Sequence, residues 1–145
     1  MTRILVVEDN PQNLKLTTVI LRARGFTVVP AVDSEAAERA IAEAVPDLVV
    51  MDVALPGKDG YELTRELRGR PETAHLPILA VSAFAMPGDA EKALTAGCDD
   101  YLTKPIQRAG LLERVDRLLG TESRSTASTP ASRSDSPSDR EESRE

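Results

Sequence analysis

Five residues in this chain are of types that carry metal and phosphorus chemistry, and each follows a short apolar run. Glu8 and Asp9 follow Ile4–Val7, Asp52 follows Leu48–Met51, Ser82 follows Ile78–Val81, and Lys104 follows Tyr101–Thr103. Folding gains nothing from two adjacent acids at the end of an apolar segment. Like charges about 4 Å apart repel by roughly 4 kcal/mol at an effective dielectric near 20. If Asp52 joins them, three carboxylates meet at one point. A hard divalent cation such as Mg²⁺ removes that repulsion, because it takes oxygen ligands while keeping several waters. An ammonium from Lys104 and a hydroxyl from Ser82 complete a site that stabilises a phosphoryl group on an oxygen nucleophile, with Asp52 as the acceptor. Taken singly, each residue has a bland explanation: strand-end acids are often solvated, and a lysine is usually a surface charge. The signal lies in their joint placement.

That placement requires a fold that brings the ends of the runs together. The runs are Ile4–Val7, Thr27–Val29, Leu48–Met51, Ile78–Val81 and Tyr101–Thr103, and they alternate with five helical patterns. Asn10 caps the first helix, Pro11 suits its first position, and Gly25 ends it. Asp33 or Ser34 starts the second, whose Ala36, Ala37, Ala40, Ile41 and Ala44 form one expected buried stripe. A third runs from about Tyr61 to Leu67. A fourth runs from about Gly88 to Ala96, with Gly97 at its C-cap. The fifth puts Leu111, Val115 and Leu118 on one face and stops at Gly120. Strict βα alternation predicts an α/β fold: a doubly wound parallel sheet of five strands in the flavodoxin-like order 2-1-3-4-5. Pro30 supports that order, since it abuts the second run and proline is tolerated mainly on edge strands. Ligands of such sheets bind beyond the C-terminal strand ends, where the candidate residues lie.

Composition narrows the function. The chain has 145 residues and a net charge of −6, of which residues 1–120 carry −4 and residues 121–145 carry −2. With neither part basic, direct binding to nucleic acid or an anionic membrane is disfavoured. The single Cys98 cannot form an internal disulfide and reads as a small core residue in a reducing compartment. No signal peptide or membrane-length apolar run is evident, so a cytoplasmic location is expected. Residues 1–120 are expected to form the folded domain. In residues 121–145, eight of the 25 are serine and two are proline, which predicts a disordered tail. It reads as a linker or solubilising segment, or as a regulated partner-binding tail with Thr129-Pro130 and Ser136-Pro137 as modification sites. No output module is expected after Gly120, so the output should be a protein contact.

Glu8-Asp9, Asp52 within "VVMDVALPGKDG", Ser82-Ala83 and Lys104-Pro105, at these spacings, resemble the receiver domain of two-component response regulators (the CheY-like superfamily). The likeness covers residues 2–119, and the stretch "AFAMPGDAEKALTAGCDDYLTKPI" is similar to single-domain regulators of the DivK kind. The resemblance implies that Asp52 accepts phosphate from a phosphohistidine of a sensor histidine kinase or histidine phosphotransfer protein. It implies that Glu8, Asp9, Asp52 and the backbone carbonyl of Ala54 hold Mg²⁺. Lys104 would pair with the phosphoryl oxygens, ahead of a cis Lys104–Pro105 bond. Ser82 would move to hydrogen-bond the phosphoryl group as the switch hydroxyl, and Tyr101 would turn inward behind it as the switch aromatic. Glu at the first acidic position is a common family variant. Kinases would dock near the first helix, and a downstream protein would read the fourth helix, fifth strand and fifth helix. The implied protein is a phosphoacceptor rather than a turnover enzyme, monomeric or weakly dimeric when phosphorylated.

Three other readings stay open on the residues. Aspartyl-phosphate hydrolases share the chemistry but need a second acid two residues after the nucleophile, where this chain has Ala54. Flavodoxin-type binders cradle phosphate with a hydroxyl- and glycine-rich first loop, where this chain has "VEDNPQN". A receiver cut from a larger hybrid kinase is the third.

Overall fold

Leu48, Val49, Val50 and Met51 have no polar side chain among them, and all four are buried. Strands covered on both faces read as such continuous runs, which is the mark of a parallel sheet between helical layers. The computed structural model describes residues 2–55, 57–83 and 88–120. Its strands are β1 (Arg3–Val7), β2 (Thr27–Ala31), β3 (Leu48–Asp52), β4 (Ile78–Ser82) and β5 (Asp100–Thr103). They alternate with α1 (Pro11–Ala23), α2 (Ser34–Glu43), α3 (Gly60–Arg68), α4 (Asp89–Ala96) and α5 (Arg108–Leu118). All pairings are parallel and the order is β2-β1-β3-β4-β5, as the sequence predicts. The expected tail, residues 121–145 with Thr129 and Ser136, lies outside the described residues.

Alternation along each strand sorts the core into two layers. Leu5, Val7, Val49, Met51, Ile78 and Ala80 pack with Ala37 and Ile41 of α2, Leu63 and Leu67 of α3, and Ala93 of α4. Ile4, Val6, Leu48, Val50, Leu79 and Val81 pack with Ile20 and Leu21 of α1 and Leu111, Leu112 and Val115 of α5. Caps set where the helices begin. Asn10 accepts the amide protons of Gln12 and Asn13 at 3.0 Å, Asp33 that of Ala36 at 2.8 Å, and Asp59 that of Glu62 at 2.8 Å. Arg68, at the end of α3, donates to the carbonyls of Gly97 at 2.9 Å and Leu76 at 2.7 Å and to Asp99 at 2.9 Å. That guanidinium fastens the α3–β4 and α4–β5 connections together. Cys98 is buried beside it, as expected, and burial pushes its thiol pKa up.

Three local expectations need correction. β2 does not stop at Val29 but runs through Pro30 to Ala31. Thr27 N–H donates to Thr2, so two-residue alternation turns the nitrogen of Pro30 to the outer side, where no ladder donor is needed. Ala44 is not part of the buried stripe: it lies past the end of α2, in extended backbone, and is exposed. α3 also starts one residue earlier than expected, at Gly60. A Cβ there would stand 2.7 Å from the Asp52 carbonyl oxygen, so only glycine lets α3 begin against the end of β3.

Candidate functional site

The parallel order places the C-terminal ends of β1, β3, β4 and β5 side by side. Val7 is in register with Met51, Asp52 with Val81, and Ser82 with Thr103. The residues that end or follow these strands therefore converge. Ligand oxygens of Glu8, Asp9 and Asp52 lie within 4.8 Å of one another. Glu8 and Asp52 are buried, Ser82 is buried at 4 % exposure, and Asp9 is exposed.

The structure adds a balance that the sequence does not reveal. Lys104 Nζ lies 2.9 Å from Glu8 and 2.9 Å from Asp52, so one ammonium bridges the two buried carboxylates. Burial works against the Lys104 charge, but its hydrogen bonds to Asp52 and Glu8 outweigh this and leave its pKa raised. Burial is also the main reason that the pKa of Glu8 is raised. Its hydrogen bonds from Lys104 and the Asn10 amide oppose that rise, and neighbouring Asp52 adds to it. The Asn10 amide donates to Glu8 at 3.0 Å, and the Ala54 amide donates to Asp52 Oδ1 at 3.0 Å. Both bonds come from the chain just past a strand end, and nothing in the residue types flags them.

The donor set fits a hard cation. Three carboxylates and one ammonium sum to −2 if all are ionised, which a divalent ion neutralises, and every side-chain ligand offered is oxygen. The Lys104–Pro105 bond is cis. Tyr101 is half-buried against the α2–α3–α4 layer, two residues along β5 from Thr103, the partner of Ser82.

Residues 4–116 match the response regulator receiver domain family. The chain belongs to that family. This receiver is similar to the polar-differentiation response regulator DivK of Brucella anthropi, with 37 % identity over 117 residues that cover 81 % of this chain and 95 % of that protein. It is also similar to the receiver domain of a sensor histidine kinase of Pseudomonas aeruginosa, crystallised with a magnesium ion coordinated in its active-site cleft. That domain is 40 % identical, with a TM-score of 0.76 over 82 % of this chain and 98 % of its own. The Vibrio cholerae chemotaxis protein CheY4 shares the fold, at a TM-score of 0.77 and 24 % identity over 81 % of this chain and 98 % of its own. Receiver domains are signalling proteins rather than turnover enzymes. Among the described residues, no helix is long and apolar enough to cross a membrane.

Proposed function

We propose that this receiver accepts a phosphoryl group on Asp52 from a phosphohistidine of a sensor histidine kinase or histidine phosphotransfer protein, and signals through a phosphorylation-dependent contact with a downstream protein. The observation that carries this reading is the double bridge of Lys104 to Glu8 and Asp52, with Asp9 beside it. It leaves the acceptor carboxylate buried against an ammonium, in a cluster with more carboxylates than cations.

Mg²⁺ would be held by Glu8, Asp9, Asp52 and the Ala54 carbonyl, and when bound it supplies the missing charge beside the incoming phosphoryl oxygens. A carboxylate oxygen of Asp52 forms the new O–P bond as the P–N bond breaks. The electron pair leaves with the imidazole, which keeps or takes up a proton. Lys104 then exchanges part of its contact with Asp52 for the phosphoryl oxygens, so its charge stays paired throughout. Ser82 donates its hydroxyl to the phosphoryl group, and Tyr101 moves inward behind it. These shifts alter the face built from α4, β5 and α5, where the downstream protein would bind.

Residues 1–120 would form this unit, with residues 121–145 as an appended tail. The setting would be cytoplasmic, with neither nucleic acid nor membrane as a direct partner, and the receiver would be monomeric or a weak phosphorylation-linked dimer. The test is incubation with acetyl phosphate and Mg²⁺, comparing wild type with Asp52→Ala. Acid-labile phosphate on wild type and none on the variant is the expected result. Equal incorporation overturns the assignment.

A further inference from the structure

Apart from the acidic site, four charged side chains close into a ring. Lys58 Nζ lies 2.6 Å from Glu66 and 3.3 Å from Glu38. Arg70 lies 2.9 Å from Glu38 and 3.8 Å from Glu66. Each cation touches both carboxylates, and each carboxylate touches both cations. Exposed ion pairs taken singly contribute little, and networks are the exception. Here every member is held from two sides. Hydrogen bonding by Arg70 is the main reason that the pKa of Glu38 is lowered, and the ammonium of Lys58 acts in the same direction.

The ring matters because of where Lys58 stands. It belongs to the β3–α3 connection, which leads directly from Asp52 to α3. Of its residues 53–59, "VALPGKD", only Lys58 and Asp59 have polar side chains, and Asp59 caps α3 by accepting from Glu62 N–H at 2.8 Å, so Lys58 is the one that ties the connection to α2. Amide donors hold its two ends: Val53 N–H donates to Val81, Gly60 N–H to Val53, and Ala54 N–H to Asp52 Oδ1. Gly57, with φ of 75°, is a flexible residue type directly before Lys58. Glu38 lies in α2, while Glu66 lies in α3 and Arg70 just past its end. The ring therefore ties the connection to two helices at once.

We infer that Lys58 is a positioning residue: through its ring with Glu38, Glu66 and Arg70 it holds the β3–α3 connection so that the Ala54 backbone stays set against Asp52, and thereby raises the affinity of the acidic site for a divalent cation. The inference rests on the reading of Glu8, Asp9, Asp52 and Ala54 as the Mg²⁺ site.

The test measures Mg²⁺ affinity by calorimetry on the full chain for wild type, Lys58→Met, Lys58→Arg and Asp9→Asn, together with amide hydrogen exchange in EDTA. Lys58→Met should weaken Mg²⁺ binding roughly three- to tenfold, at or below the low end of the 10–100-fold range seen when a ligand's direct hydrogen-bond partner is removed. It should also speed exchange at Ala54 and Gly60 in the metal-free protein. Lys58→Arg keeps both ring contacts and should bind within about twofold of wild type. The gap between wild type and Lys58→Met should close at about 0.5 M salt, where the Debye length is about 4 Å. If wild type binds Mg²⁺ in an Asp9-dependent way while Lys58→Met matches it in affinity and exchange, this inference alone fails. The same holds if Lys58→Arg is as weak as Lys58→Met. If wild type shows no Asp9-dependent binding, the metal-site reading fails and takes the inference with it.

Discussion

Replacing Lys104 by methionine removes the ammonium that bridges the buried carboxylates of Glu8 and Asp52, and the cost follows from the geometry. The variant keeps Glu8 and Asp52 with ligand oxygens within 4.8 Å of each other, which at an effective dielectric near 20 is a repulsion of about 3.5 kcal/mol. The folded protein escapes part of this by taking up a proton on Glu8, whose pKa is already raised from its ordinary 4.5 by burial first. That escape is partial, because the proton must be taken up well above the ordinary range of a carboxyl. Lys104→Met should therefore lose about 3 kcal/mol in EDTA at pH 7, within the range for breaking one side of a buried pair. The sign with pH follows. A carboxyl whose folded pKa is raised gives stability that is present below its unfolded pKa and lost as pH rises through the folded one. The deficit of the variant should therefore shrink as pH falls from 7 toward 5.5, because the variant gains more from protonating Glu8 than wild type does. Urea melts of both proteins at the two pH values, in EDTA, read this directly. A variant as stable as wild type at pH 7, or a deficit that does not change with pH, would refute the argument that Lys104 balances the two acids.

Ser82→Ala should still take phosphate from acetyl phosphate, but phosphorylation should no longer shift the NMR signals of α4 and α5; wild-type shifts there would contradict its switch role. Arg68→Ala should lose about 2–4 kcal/mol in urea melts, because several carbonyls of two connections lose a charged donor, and Arg68→Lys should recover less than half of it. Truncation after Gly120 should leave the rate of phosphorylation and Mg²⁺ affinity unchanged, and a several-fold change in either would place the tail in contact with the site.

β3 and β4 were legible because burial on both faces leaves unbroken apolar runs, and the sheet order was legible from strict βα alternation, with Pro30 marking an edge. The acids were legible for a topological reason: a residue that follows a strand in a parallel sheet has only one rim to occupy. Ala44 misled because its helical spacing continues after the helix itself has ended, and periodicity carries no information about a missing cap. The ion-pair ring and the Arg68 clamp were invisible for another reason. Lys58 meets Glu38 across 20 residues and Arg68 meets Asp99 across 31, and such pairs leave no local pattern. Lys104 was legible at the same rim as the acids, but its simultaneous contact with Glu8 and with Asp52, 52 residues away, was not.

Pro30 also changes what the open edge of the sheet can accept. An edge strand is an open template: its outward amides can recruit a strand from another molecule and start sheet growth between chains. In β2 one of those outward positions is a nitrogen without a proton, in the middle of the five-residue strand's second half, and the residue is exposed. A foreign strand docking along β2 would find its hydrogen-bond ladder interrupted. The sheet is thereby guarded on this side against growth by strand addition.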